Sequence, residues 1–177
     1  MSADIRKDLP IPADDPNRSL TIADPDGPGI RHVFLAGGIY TILVSGAETN
    51  GRYCLIEMLV PDGGGPPQHR HDFEEMFSLL EGELEFTFRG ETRVVRAGST
   101  VNVPANAPHA FKNISGGMAR MLCMCTPAGQ EEFFATVGFS VESRRAQPPK
   151  PTQEELAERG KLVASLLPKY RTEMVKV

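Results

Sequence analysis

The chain has 177 residues, a formal net charge of −4, 40% apolar and 24% charged side chains, the make-up of one soluble globular domain long enough to bury a core. The acidic balance and the want of a clustered basic face count against a nucleic-acid surface. No stretch approaches the roughly 18 to 20 apolar residues of a spanning helix; the opening MSADIRKDLP lacks a signal-peptide apolar run, so cytoplasmic location is the simplest expectation.

Residues 1–29 are rich in Pro, Asp and Gly (DLPIPADDPN, ADPDGPGI) and read as an irregular arm. From about Arg31 to Thr126 the chain becomes a series of short β-type runs: RHVFLA, IYTILVS, RYCLIEMLV, EMFSLL, ELEFTFR, TRVVRA, STVNVP, HAFKNI and ARMLCMC. Turn residues separate them, among them GG, TNG, PDGGGPP, EG, RG and PANAP. Nine such runs predict an all-β barrel or sandwich, because antiparallel sheets must hide their edges.

TPAGQEEFFATVGF then reads as a short helix, with Pro127 at its first position and Glu131 and Glu132 favouring its positive end. Residues 142–151 (ESRRAQPPKP) are a Pro-rich linker. Thr152 and Glu155 form a capping-box pattern that predicts a final helix, on which Leu156, Val163, Leu166, Leu167 and Tyr170 recur at helical spacing. That apolar face is expected to pack on the barrel or on a second subunit.

Three cysteines, Cys54, Cys123 and Cys125, are expected as free thiols, small apolar groups in the core. Cys123 and Cys125 alternate along one run and share a face.

The chemistry concentrates in HRHDFEE. Side chains alternate on a strand, so His69, His71, Phe73 and Glu75 share one face while Arg70, Asp72 and Glu74 turn outward. His109, in PHAFKN, could join from a neighbouring strand. Three imidazoles and a carboxylate make a mixed nitrogen and oxygen site suited to Fe(II), Mn(II), Ni(II), Co(II), Cu(II) or Zn(II), and ligand softness does not choose among them. Of the four histidines, His32 stands apart and reads as a surface or satisfied core residue. Phe77 and Phe111 share parity with the ligand positions and fit the core or the wall of an apolar pocket.

These residues also fall on two known motifs. In GGGPPQHRHDFEEMFSLLEG, Gly63, His69, His71, Glu75 and Gly82 follow the first cupin motif; in GSTVNVPANAPHAFKN, Gly98, Pro104, His109 and Asn113 follow the second. Asn106 stands where the family has Gly, a mild departure, since Asn tolerates positive φ best among the other residues. The chain thus resembles a small single-domain cupin of bacterial type over about residues 30–127, distantly like the quercetin-dioxygenase cupins. The resemblance implies a single jelly-roll barrel at 30–127, an N-terminal arm at 1–29 and a C-terminal helical extension at 128–177, with the Pro-rich linker near 146–151. It implies His69, His71, Glu75 and His109 as ligands of a divalent transition metal, with Glu75 also a candidate base. The implied activity is a metal-dependent oxidoreductase, dioxygenase-like, on a small phenolic or enolic molecule. A metal-dependent isomerase or lyase and a non-catalytic small-molecule binder stay open, since cupins host many functions. A homodimer is expected, because the arm and the last helix lie outside the barrel and need something to pack on.

Overall fold

A computed structural model describes residues 10–175; the first nine residues of the expected arm and the last two of the chain lie outside them. Residues 10–30 run without helix or strand. There follow β1 (Arg31–Leu35), β2 (Gly38–Val44), α1 (Gly46–Thr49), β3 (Cys54–Val60), β4 (His69–His71), β5 (Glu74–Glu81), β6 (Glu83–Phe88) and β7 (Glu91–Arg96). The rest of the order is β8 (Thr100–Val103), β9 (His109–Asn113), β10 (Ala119–Thr126), α2 (Gln130–Val137), β11 (Phe139–Val141), α3 (Gln153–Leu166) and β12 (Thr172–Met174). All nine expected runs are strands. The short strands β4, β11 and β12 and the single turn α1 are additions to that expectation.

Two antiparallel sheets face each other as a jelly roll. One has the order β11-β1-β2-β3-β10-β5-β8, the other β12-β4-β9-β6-β7. Strict alternation explains why they close on a core: β10 buries Ala119, Met121, Cys123 and Cys125 and leaves the residues between them half-buried, while β5 buries Glu75, Phe77 and Leu79. With Ile56, Met58, Leu84, Phe86, Val103 and Phe111 these side chains fill the space between the sheets. At roughly 1.5 to 3 kcal/mol for each large apolar side chain removed from water, this layer is the main favourable term in the fold.

The turns carry out what their residues allow. Asn106 adopts φ 69°, the left-handed conformation anticipated for the residue standing in place of Gly, and its N–H donates to the His71 carbonyl at 2.7 Å. That bond fixes the loop delivering His109. Gly65 sits at φ 145°, and a Cβ there would lie 2.0 Å from the Phe111 carbonyl oxygen; only glycine permits this approach.

After the barrel, α2 begins at Gln130, three residues past the position expected from Pro127, because Glu131 is drawn elsewhere: its carboxylate accepts from the Gly46 and Gly129 N–H groups at 2.6 and 2.8 Å. Helix α3 starts as its capping box predicts, with Thr152 accepting from the Glu155 N–H at 3.2 Å and Glu155 accepting from the Thr152 N–H at 2.7 Å. Leu162, Val163, Leu166, Leu167 and Tyr170 pack against the barrel core. Strand β12 then pairs with β4, Thr172 opposite His71 and Met174 opposite His69, so the chain returns to the edge of the site.

On the outer face of the larger sheet, buried Glu57 accepts from Arg120 at 2.8 Å and from Arg144 at 2.8 Å, and Arg144 also donates to Asp26. This network ties the lead-in and the linker to the barrel. No helix among the described residues is long and apolar enough to cross a membrane.

Candidate metal centre

His69, His71 and His109 come from the smaller sheet and Glu75 from the larger, so the site spans the gap between the sheets. His69 lies directly opposite His109 in the β4–β9 pairing, and the chain then bends at Asp72–Phe73 and enters β5 with its parity intact. His71, Glu75 and His109 are buried, at 2, 4 and 0% exposure, and His69 is half-buried. The ligand atoms of the four residues all lie within 4.8 Å of one another. The residues chosen from strand parity are thus brought together, while His32 is elsewhere, buried on the outer face with its Nδ1 2.9 Å from the Thr41 hydroxyl. Glu74 points outward and accepts from Asn102 and from the Ala105 N–H. Asp72 and Arg70 also face outward, paired with Arg171 and Glu173 of the C-terminal segment.

The hydrogen-bond pattern shows what the four residues can hold. Each imidazole has its Nδ1 3.0 Å from a backbone carbonyl: His69 from Pro67, His71 from Phe73 and His109 from Ala107. A carbonyl only accepts, so each Nδ1 carries the hydrogen, and a neutral ring then presents the bare lone pair of Nε2. Glu75 Oε2 nevertheless sits 3.0 Å from His71 Nε2 and 3.1 Å from His109 Nε2. Acceptors facing an acceptor repel unless both rings take a second proton or a cation lies among them. Three oriented lone pairs and a carboxylate fit a divalent transition metal, with the carbonyls setting tautomer and ring angle.

In the absence of a cation the second proton is the other resolution: burial acts to raise the Glu75 carboxyl, but hydrogen bonds from His109 and His71 carrying that proton outweigh it and hold the group below the usual carboxylate range. Burial, aided by repulsion from His109, lowers His69 to about 4, which keeps that ring neutral and able to bind metal at neutral pH.

One neighbour has a local signal that strand parity carries only in part. Cys123 donates its S–H to Glu75 Oε1 at 3.2 Å, and Cys125 lies 3.7 Å from the same oxygen. All three cysteines are buried and free, as expected, yet two of them touch the candidate ligand. A hydrogen bond with Cys125 acts to lower the Cys123 thiol, but burial and the Glu75 charge carry it up to about 12; it remains a donor. The shared face of Cys123 and Cys125 is visible in the sequence, but their register with Glu75, fixed by the pairing of Cys125 opposite Glu75, is not.

Beside the four residues lies a cavity of about 150 Å³. Phe77 and Phe111 line it while also packing in the core, together with Tyr40, Met58, Phe133 and Phe134. His69 and Glu75 supply its metal-facing end, and Val163, Leu167, Thr172 and Met174 cover it from the C-terminal segment.

Residues 56–125, which include all four candidate ligands, match the family model described as a cupin domain. Quercetin 2,3-dioxygenase of Bacillus subtilis is 25% identical over 134 residues, covering 75% of this chain and 39% of that protein. The HTH-type transcriptional regulator PuuR of Escherichia coli is 30% identical over 91 residues, 51% of this chain and 49% of the regulator. The chain therefore spans less than half the length of each of these relatives. The crystal structure of the polyketide cyclase RemF from Streptomyces resistomycificus superposes with a TM-score of 0.54 at 17% identity, covering 77% of this chain and 90% of that one, a likeness of fold. Barrel, motif and family match converge on residues 56–125, the part of the chain that matches the cupin domain.

Proposed function

We propose that the chain is a metal-dependent oxidoreductase, dioxygenase-like, acting on a small phenolic or enolic molecule, with His69, His71, Glu75 and His109 as its metal ligands. The observation that carries this reading is the conflict at the centre: three imidazoles tied at Nδ1 to carbonyls and turned on one carboxylate. A divalent transition metal held there supplies Lewis-acid polarisation and a template for the reactants. The protein supplies the rest. Glu75 is the one carboxylate lining the cavity and accepts the proton of an incoming hydroxyl, and the Cys123 S–H keeps its other oxygen in place. The wall of Tyr40, Phe77, Phe111, Phe133 and Phe134 excludes water and faces the flat, apolar body of the substrate. The likeness to a quercetin dioxygenase supports the same chemistry.

The test is metal analysis of protein purified without chelator, followed by oxygen-uptake measurement as phenols and enols are added anaerobically and air is admitted. His69→Ala and His109→Ala lose most of the bound metal, whereas His32→Ala retains it. Metal surviving both ligand changes would refute the assignment. The likeness to a transcriptional regulator favours a second reading, binding without turnover; metal and ligand bound with no oxygen consumed would select it.

We also propose a homodimer. The lead-in leaves Ile11, Leu20 and Ile22 at 95, 86 and 85% exposure, apolar side chains that a second copy would cover. Gel filtration at one chain mass would sink this.

A further inference from the structure

The first turn of α2 puts Gln130 into the wall of the cavity that His69 and Glu75 also line. Gln130 is 7% exposed, and its Oε1 is buried without a hydrogen-bond partner, the one such side-chain atom found among the described residues. Its neighbour Glu131 is fully engaged by the Gly46 and Gly129 N–H groups, so the helix start does not need the amide. A buried amide oxygen without a partner destabilises a fold, and Leu or Met would occupy the same space in this otherwise apolar wall without that cost. An unsatisfied group retained in a cavity is accounted for when the missing partner arrives with the ligand.

The partner's chemistry follows from the amide. Rotation exchanges carbonyl for NH₂, and a hydroxyl, being both donor and acceptor, satisfies either orientation. The size of the partner is matched to the cavity: about 150 Å³ is the volume in which an apolar protein cavity takes up benzene, room for one ring. Glu75 and Gln130 line the same cavity. We propose that Gln130 is the specificity-determining residue of this cavity, and that the substrate is a single-ring compound with two oxygens: one turned to the metal centre, and a hydroxyl across the ring that Gln130 binds. This rests on reading the cavity as the substrate site of the proposed enzyme.

The test uses resorcinol and hydroquinone, whose second hydroxyl cannot join the first in chelating a metal, with phenol and benzene as controls. Dissociation constants are measured anaerobically by NMR titration on the full chain as purified. The wild type is expected to bind at least one of the two diols about tenfold or more tighter than phenol. Gln130→Leu and Gln130→Met abolish that preference, bind benzene at least as well as the wild type, and raise Tm with metal content unchanged. A variant pair that lowers Tm and keeps the diol preference makes Gln130 structural and overturns the proposal, as does a wild type that does not favour either diol. The arms separate the two readings. If metal analysis finds none but the preference still collapses in Gln130→Leu, the metal enzyme falls and Gln130 stands; bound metal with an unaltered preference gives the reverse.

Discussion

Acidification of the metal-free protein tests the burial of His69. His69 protonates at about 4 in the fold, against 6.5 for an ordinary imidazole. Between those values the unfolded chain holds a proton that the folded chain refuses, so stability falls as pH falls and is flat, for this group, above 6.5. A gap of about 2.5 is worth about 3 kcal/mol once pH drops below 4, with a slope that cannot exceed about 1.4 kcal/mol per pH unit for one proton. His69 is half-buried, so about 3 kcal/mol is an upper figure. Glu75 acts in the same direction but in a lower window: its contribution is present above 4.5 and is lost as pH falls through its depressed folded value. His32, lowered chiefly by burial, adds the same sign and serves as control. The assay is urea unfolding followed by circular dichroism from pH 8 to pH 4 in the presence of chelator, for wild type, His69→Gln and His32→Gln. His69→Gln should flatten the decline between pH 6.5 and 4 by about 2 to 3 kcal/mol, more than His32→Gln does. Parallel curves for wild type and His69→Gln would refute the reasoning. Metal restored to the wild type should steepen the decline, because each imidazole must shed its proton to bind.

Cys123→Ala removes the donor that holds Glu75 Oε1 and is expected to weaken metal affinity by about 10- to 100-fold, with Cys123→Ser recovering most of it; competition titration against a chromophoric chelator reads both, and equal loss in the two variants would point to packing instead. Gly65→Ala forces a methyl against the Phe111 carbonyl at a φ that L residues avoid, and should cost at least about 2 kcal/mol in chemical denaturation; a neutral result would mean that β9 can shift away from that loop.

The barrel strands were legible because each is a run of apolar alternation bounded by turn residues, and a two-residue period is written locally. His69, His71 and Glu75 were legible for the same reason, as three equal-parity positions on nearly continuous extended chain. The bounds and partners of the three short strands were not. β4 is His-Arg-His, polar throughout, and exists because β9 and β12 flank it. β11 pairs with β1, and β12 with β4, from beyond the barrel; three residues with no period of their own leave nothing local to read. Pro127 suggested a helix start that Glu131 instead sets three residues later, through its bond to the distant Gly46. The proximity of Cys123 to Glu75 is likewise a product of β5–β10 register.

The same division separates metal from substrate. The family match over residues 56–125 contains the three histidines, Glu75, Cys123, Phe77 and Phe111, that is, the candidate metal centre and its immediate support. It omits Tyr40, Gln130, Phe133, Val163, Leu167, Thr172 and Met174, which complete the cavity. A cupin barrel needs only its paired sheets to bring the ligands together, so relatives can share that centre and differ in every residue that closes over it. In this chain the closure is built by α2, α3 and β12, with β12 hydrogen-bonded to the strand that carries His69 and His71. Substitutions in α3 and β12 should therefore alter which ring is accepted without removing metal, while substitutions in the matched motif should remove metal whatever the ring. Candidate ligands and cavity closure thus sit on different segments of one chain, and Gln130 and Thr172 are the polar residues that the closing segments bring to the cavity wall.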